Sequence, residues 1–169
     1  KKASETQGTL LSAGGGSFEH GFFGARYGGK INEETPFRVY AKGFTRDNTI
    51  SPESANRHDQ WHSARGGFRL DHTSGIDQFT AQGDIYFNSL GNTLDSNTSR
   101  FLHLQNSAIR GNQEGGNIRF RWDRVYSERA SIMLQTYYDR NTYQFHSVGK
   151  SDAESFDIDF QHRFPLFNQ

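Results

Sequence analysis

The stretch GGNIRFRWD, residues 115–123, decides the fold. From Gly116 onward its side chains alternate, with Gly116, Ile118, Phe120 and Trp122 on one parity and Asn117, Arg119, Arg121 and Asp123 on the other. A period of two is typical of an extended strand, because successive side chains of a strand point to opposite faces of the sheet. The stretch therefore predicts a strand with one apolar face and one charged face.

The same alternation recurs through most of the chain. It predicts strands near residues 9–16, 22–31, 37–46, 61–72, 78–88, 115–123, 130–139 and 156–164. The two N-terminal strands carry the weakest pattern. Charged residues keep to one parity within the charge-bearing strands, and Arg124 and Arg140, which would break this rule, are placed just outside strands. The pattern predicts an all-β, antiparallel, up-and-down meander that forms a single domain over residues 1–169.

The composition excludes several classes of protein. The chain has 19 Lys and Arg against 19 Asp and Glu, so it has no net charge with which to bind nucleic acid. It contains no cysteine, which excludes disulfides, cysteine-ligated zinc and a thiol nucleophile. No apolar run approaches the ~18 residues of a membrane-spanning helix. A membrane-spanning strand is still possible, because it needs only about 9–11 residues with alternate apolar positions.

The connections between the predicted strands alternate in length. Short turns are predicted at 32–35, 73–77 and 125–129, and long polar loops are predicted at 47–60, 89–114 and 140–155. Short turns at one end and long loops at the other are typical of an outer-membrane β-barrel, which turns its apolar parity to lipid and its polar parity to a wet lumen. Aromatic residues near the strand ends fit the interfacial girdles of such a barrel. These residues are Tyr27, Phe37, Trp61, Phe87, Trp122, Tyr138 and Phe164.

Two motifs suggest phosphate or metal binding, and each has a plainer structural interpretation. GARYGGK, residues 24–30, nearly matches a phosphate-binding loop, but Ile31 stands where Ser or Thr must bind magnesium, and no helix pattern follows. His58 and His62 are four residues apart, which is a metal-ligand spacing only in a helix. Here the segment leads into a strand, where residues four apart are separated by about 13 Å. The sequence therefore predicts neither a nucleotide site nor a metal site.

A pair of carboxylates and two further histidines also have plainer interpretations. Asp157 and Asp159 share one face of a predicted strand about 7 Å apart, a separation close to that of glycosidase carboxylates. Arginines on the same parity favour ion pairs across strands instead. His72 and His162 fall on the lipid parity near the short-turn end, where an imidazole can reach headgroups. We therefore predict no enzyme and no catalytic, metal or cofactor-binding residue, and the ligand-binding residues stay unknown.

An ordered series of segments resembles the first barrel strands of TonB-dependent outer-membrane receptors. The segments are TQGTLLSAGGG (6–16), GARYGGKI (24–31), FRVYAKGFTRD (37–47), GGFRLD (66–71), QGDIY (82–86), YYDR (137–140) and FDIDFQHRFPL (156–166). The resemblance spans nearly the whole chain. It rests on the order of the series, since no single motif is diagnostic.

The resemblance implies a place in the bacterial outer membrane and a role in import. Members of this family import siderophores, cobalamin, haem or sugars through a barrel of about 22 strands with a plugged lumen. TonB supplies the energy through a box that precedes the N-terminal plug. The partners implied are outer-membrane lipid and lipopolysaccharide, a nutrient ligand, and TonB only through an N-terminal region that is missing here. No cofactor and no nucleic acid is expected.

The chain departs from the family pattern in extent. It has room for about eight strands, shows no plug and no TonB box, and ends at FPLFNQ (164–169), a predicted periplasmic turn. We therefore expect a transmembrane barrel-wall segment, a fragment of a 22-stranded receptor barrel. Two alternatives stay open. One is a complete small eight-stranded outer-membrane barrel with a structural or adhesive role, and the other is a soluble carbohydrate-binding β-sandwich.

Overall fold

The computed structural model describes residues 1–49, 59–93, 108–145 and 149–165. These residues form one eight-stranded antiparallel sheet, preceded by a short 3-10 helix, Ala3–Thr6. The strands are β1 (Gly8–Gly14), β2 (Glu19–Lys30), β3 (Pro36–Arg46), β4 (Trp61–Ser74), β5 (Asp77–Thr93), β6 (Ala108–Ser127), β7 (Ala130–Phe145) and β8 (Gly149–Arg163). Each strand pairs with its neighbours in sequence, so the predicted all-β, antiparallel, up-and-down meander is confirmed.

The sheet is open in the described part of the chain. Strands β1 and β8 are its two edges, and no pairing joins them. A complete eight-stranded barrel needs that pairing, because only closure removes the edges of a sheet. The open sheet therefore counts against the small-barrel alternative. No helix in the described residues is long and apolar enough to cross a membrane.

The strand register places the two parities on opposite faces of the sheet. Phe120 lies opposite Ala81 and Thr136, whereas Arg121 lies opposite Thr80 and Gln135. We call the face that carries Phe120 the apolar face and the face that carries Arg121 the charged face. The side chains of the charged face border a common cavity from β1 to β7, so the sheet curls toward that face.

The described residues have almost no packed core. Ala3 is their only buried hydrophobic residue, and no large side chain among them is fully buried. Many larger side chains of the apolar face are at least 38% exposed: Leu11, Phe23, Tyr27, Val39, Phe68, Ile85, Phe87, Ile118, Phe120, Tyr138, Phe156, Ile158 and Phe160. Others on this face, such as Phe37, Leu70 and Phe79, are partly exposed. Some exposed apolar residues, such as Leu10, Phe22 and Trp61, lie on the charged face instead. A single sheet of this kind has nothing of its own with which to cover its apolar face.

Two of the three predicted long loops are wrong in extent. Strands β5 and β6 continue through 89–93 and 108–114, inside the predicted loop 89–114. Strands β7 and β8 likewise continue through 140–145 and 149–155, inside the predicted loop 140–155. Both faces are polar in much of these extensions, so the period-two signal weakens there although the backbone pairing continues. Of the loop 47–60, residues 50–58 lie outside the described part.

Three individual placements are also corrected. Arg124 and Arg140 lie within β6 and β7, on the apolar face, and not outside the strands. Trp61 does not belong to a girdle on the apolar face, because it lies opposite Arg46 on the charged face. The rule that charges keep to one parity therefore holds only in the apolar middle of the sheet. Beyond that zone, charged residues lie on both faces.

The N-terminal segment, residues 1–7, folds onto the charged face near the short turns. The backbone N–H of Ala3 donates to Asp71 Oδ2 at 2.7 Å, and Arg38 donates to the carbonyl of Lys1 at 3.2 Å. Gly28 makes this approach possible, because a Cβ at that position would lie 2.1 Å from the carbonyl oxygen of Thr6. The segment thereby buries Ala3 and Thr6 against the sheet.

Candidate binding groove on the charged face

The charged face encloses a groove of about 890 Å³. Its lining comes from strands β1 to β7 and includes Phe44, Trp61, Arg65, Asn88, Gln113 and Asp139. Small-molecule sites occupy roughly 300–1,000 Å³. The groove is therefore large enough for a small ligand, and its chemistry divides into an aromatic end, a polar ladder and a set of charges.

The aromatic end lies where β3 meets β4. The rings of Phe44 and Trp61 pack edge to face with their centroids 5.0 Å apart. The guanidinium of Arg46 lies over Phe44 at 4.5 Å and over Trp61 at 5.6 Å. A register shift between Glu19 and Gly21 in β2 brings Glu19 opposite Arg46, and the two side chains form an ion pair at 3.1 Å. Arg46 is thus held by a carboxylate on one side and by two rings on the other.

The polar ladder crosses four adjacent strands at one level. Ser63 Oγ donates to Asn88 Oδ1 at 2.7 Å, and Asn88 Nδ2 donates to Gln113 Oε1 at 3.0 Å. Gln113 Nε2 then donates to Tyr143 Oη at 2.7 Å and to Asn141 Oδ1 at 3.3 Å. The register explains the alignment, since Ser63, Asn88, Gln113 and Tyr143 are successive partners across β4 to β7. We call Ser63, Asn88 and Gln113, the members that line the groove, the amide ladder.

Many charges of this face are neutralised by neighbours, as the arginine-rich parity predicts. Arg65 pairs with Asp84 across β4 and β5 at 2.6 Å. Two further pairs join residues two apart on one strand: Arg69 with Asp71 at 2.8 Å and Arg121 with Asp123 at 2.6 Å. In the part of the chain that the structure describes, the Nε atoms of Arg26 and Arg119 are buried and lack a hydrogen-bond partner.

The predicted cross-strand pairing of Asp157 and Asp159 is wrong. Their partners in β7 are Tyr137 and Gln135, and neither aspartate forms a salt bridge with any described residue. Asp159 instead accepts a hydrogen bond from Gln161 Nε2 at 3.2 Å. Two arginines of this face, Arg69 and Arg121, instead pair with aspartates of their own strands.

Among the described residues, the other sequence motifs form no site. Residues 24–30 lie wholly inside β2, so the near match to a phosphate-binding loop is part of a strand. His62 lies in β4 on the apolar face, where its Nδ1 is 3.2 Å from Thr45 Oγ1, and His58 lies outside the described residues. Within the described ranges no three His, Cys, Asp or Glu side chains are grouped to hold a metal.

The apolar face carries a polar cluster beside the short turns. Asp77 accepts hydrogen bonds from Trp122 Nε1 at 2.8 Å and from Arg124 Nε at 2.7 Å. The Arg124 guanidinium also lies 5.5 Å from the Trp122 ring. Nearby, His72 Nδ1 is 2.8 Å from Thr35 Oγ1. Polar tips at the edge of an apolar band are the arrangement that aromatic and basic residues adopt at a membrane interface.

The groove as a unit was not predicted from the sequence. Asn88 and Gln113 lie on the polar parity, but Gln113 and Tyr143 fell in predicted loops. A signal for them was present, because polar residues of one parity continue past the last apolar position of β6 and β7. The groove presents hydrogen-bonding groups and aromatic surface, which are the chemistry of binding. Comparisons of the chain with models of protein families, with curated proteins and with solved structures found no match.

Proposed function

We propose that this chain is a barrel-wall segment of a TonB-dependent receptor in the bacterial outer membrane, and that its parent imports a nutrient. The observation that carries the proposal is the separation of an exposed apolar face from a charged face on one open sheet. In water, an uncovered apolar face is unfavourable in proportion to its area. In a bilayer, acyl chains cover that face while the charged face lines a wet lumen.

The dimensions of the apolar face fit a bilayer. On β8 and the residue after it, the apolar side chains Phe156, Ile158, Phe160 and Phe164 share one parity, interrupted only by His162. At ~3.3 Å per residue this stretch is about 26 Å long. A tilted strand needs about 9–11 residues to cross the hydrocarbon core. Residues 156–164 meet that length, and the polar cluster around Asp77 marks the edge of the band at the short-turn end.

Polar side chains cover the same face beyond the other edge of the band. Arg140 is paired with Glu154 at 3.6 Å, and Asp152 accepts hydrogen bonds from Thr142 at 2.6 Å and from Lys150 at 2.9 Å. The hydrogen bonds from Thr142 and Lys150 lower the pKa of Asp152, which lies outside the apolar band. Strands that run past the membrane into water at the long-loop end account for this polar extension.

The N-terminal segment supports a lumen on the charged side. Residues 1–7 lie on the charged face, where Asp71 and Arg38 hold the backbone. The chain therefore enters β1 from the side that the proposal assigns to the lumen. A receptor with a plug inside its barrel requires an entry from this side.

The soluble β-sandwich is the less favoured alternative. A sandwich buries the inner faces of two sheets against each other. The described residues form one sheet, and the side chains that a second sheet would cover are exposed.

The two tryptophans provide a direct test, because they lie on opposite faces. Trp122 lies on the apolar face and Trp61 on the charged face. The variant Trp61→Phe retains only Trp122, and the variant Trp122→Phe retains only Trp61. Each is refolded into phosphatidylcholine vesicles with brominated or with ordinary acyl chains, and tryptophan emission is compared. We expect brominated lipid to quench Trp122 strongly and Trp61 weakly.

Two results would contradict the proposal. If the chain folds to its β-sheet in plain buffer and does not bind vesicles, the membrane location is lost. If bromine quenches both tryptophans equally, the assignment of the two faces to lipid and lumen is lost.

A further inference from the structure

We propose that the groove binds a neutral saccharide, with sugar rings against Phe44 and Trp61 and hydroxyls bonded to the amide ladder. The inference rests on the proposed function only in taking the groove as the lumen-side surface of a receptor. It is supported by the chemistry of the side chains that line the groove, together with the ion pairs and hydrogen bonds that they already form.

The formal charge of the groove lining is balanced. Lys42 and Arg65 are its cations, and Glu19 and Asp139 are its carboxylates. Arg65 is already paired with Asp84, and Glu19 with Arg46. An anionic chelate or a haem carboxylate would therefore meet no net positive field. A ligand without charge suits such a lining, because it brings no charge that must be desolvated and its hydroxyls can be hydrogen-bonded by the polar side chains.

The amide ladder offers what a polyhydroxylated ligand needs. A side-chain amide carries two N–H donors and an oxygen with two lone pairs. The bonds inside the ladder use one lone pair of Asn88 Oδ1 and one hydrogen of Asn88 Nδ2. Asn88 therefore keeps a donor and an acceptor, and Gln113 Oε1 keeps a lone pair. Each sugar hydroxyl both donates and accepts, so neighbouring hydroxyls can bond to this alternating row.

The aromatic end supplies the complementary surface. One face of a pyranose ring consists of C–H groups, and it packs on an aromatic ring while the hydroxyls point sideways. Trp61 is 36% exposed, so its ring is open to contact. The contacts with Phe44 and Arg46 hold the ring in place before any ligand arrives. Rings that are fixed in advance lose little conformational entropy on binding.

The test uses Trp61 as the reporter. The chain with Trp122→Phe is refolded in the zwitterionic detergent lauryldimethylamine oxide, which contains no sugar. It is titrated with four neutral hexasaccharides, namely maltohexaose, cellohexaose, laminarihexaose and chitohexaose, and with citrate as a charged comparator. We expect at least one hexasaccharide to change Trp61 emission saturably and citrate to have no effect. Saturation by citrate alone, or no response to any hexasaccharide, would overturn the inference.

A matched pair of variants locates the binding. Gln113→Leu removes a member of the amide ladder, and Gln161→Leu makes the same change on the same face in β8, outside the groove. Loss of the hydrogen bond to Gln113 Oε1 should raise the Kd of the bound hexasaccharide about tenfold for Gln113→Leu. The Kd should be unchanged for Gln161→Leu. Equal effects of the two variants would place the sugar elsewhere.

The outcomes for the two proposals can be separated. Quenching of Trp122 by brominated lipid without a response of Trp61 to sugar would support the barrel-wall proposal and contradict the saccharide proposal. A response of Trp61 to sugar without quenching of Trp122 by brominated lipid would support the saccharide proposal and contradict the membrane location.

Discussion

The two faces of this sheet share one backbone and one set of backbone hydrogen bonds, yet they differ in the chemistry of their side chains. Phe120 and Arg121 are adjacent in sequence and lie on opposite faces. Phe120 is apolar and 40% exposed. Arg121 donates two hydrogen bonds to Asp123, at 2.7 and 2.6 Å. The apolar face lacks a covering, whereas the charged face supplies many of its own partners.

The difference indicates which interactions stabilise each face. A soluble sheet stabilises one face by packing and leaves the other to water. In this sheet the charged face has ion pairs, a polar ladder and the N-terminal segment. In the middle of the apolar face the side chains make scattered ring contacts, such as Phe79 with Phe120, and the ion pairs of that face lie at its two ends. The external environment therefore decides whether the apolar face is stable, and in the proposed function that environment is a bilayer.

The largest expected effect comes from charging the apolar face. Phe120→Arg should destabilise the folded chain in lipid vesicles by about 2–4 kcal/mol, because it places a guanidinium near the middle of the band. Arg121→Phe should cost less, since the pair it removes with Asp123 is partly exposed, at 40% and 29%. Denaturant titrations of both variants in vesicles measure the two free energies. Equal costs would reverse the assignment of the faces.

An intermediate effect should come from filling the space that the N-terminal segment needs. In Gly28→Ala the new Cβ meets the Thr6 carbonyl oxygen at 2.1 Å, so residues 1–7 must move. We expect a loss of about 1–3 kcal/mol from overpacking and faster hydrogen exchange of the Ala3 amide, which donates to Asp71.

Gly66→Ala is the control for this change on the other face. Its Cβ would lie 3.5 Å from the nearest atom, the carbonyl oxygen of Tyr40, which is an ordinary contact. Stability and Ala3 exchange should both stay close to those of the parent chain. If the two alanines behaved alike, the N-terminal segment would not be docked on the charged face.

The smallest effect should come from the polar extension of the apolar face. The Arg140–Glu154 pair is 3.6 Å long, and its side chains are 56% and 58% exposed. Arg140→Ala should therefore change the free energy of unfolding by less than ~1 kcal/mol. Denaturant titrations at low and high salt measure this difference from the parent chain, which should shrink at high salt because exposed charges are screened. A larger loss would mean that this part of the strands is covered and not in water.

The fold was predictable where a strand has one apolar and one charged face. Strands β2 to β8 follow from that alternation, because a period of two is imposed by the geometry of the strand itself. Strand β1 has no charged residue, and its prediction rested on a weaker, glycine-rich pattern. The prediction failed where both faces become polar. Residues 140–145 and 149–155 carry no contrast between parities, and they were taken as a loop although they pair through Thr142 and Asp152.

The groove was less predictable than the fold. Its polar members lie on the expected parity, but Asn88 and Gln113, which bond to each other, are 25 residues apart in sequence. Trp61 was expected at a girdle because it lies at a strand end. Its parity within β4 places it on the charged face with Arg65, and the register with β3 brings it beside Phe44. Contacts between distant strands depend on register, which no local pattern specifies at this end of the sheet.

By itself, the sequence determined the all-β class, the number and order of the strands, and which parity is apolar. These properties depend on side-chain alternation within one strand and on short turns between neighbours. The tertiary structure decided how far the strands continue, where the N-terminal segment docks, and that Trp61, Asn88 and Gln113 line one groove. Those properties depend on pairing between strands and on the curl of the sheet, which bring together residues that no period of two connects.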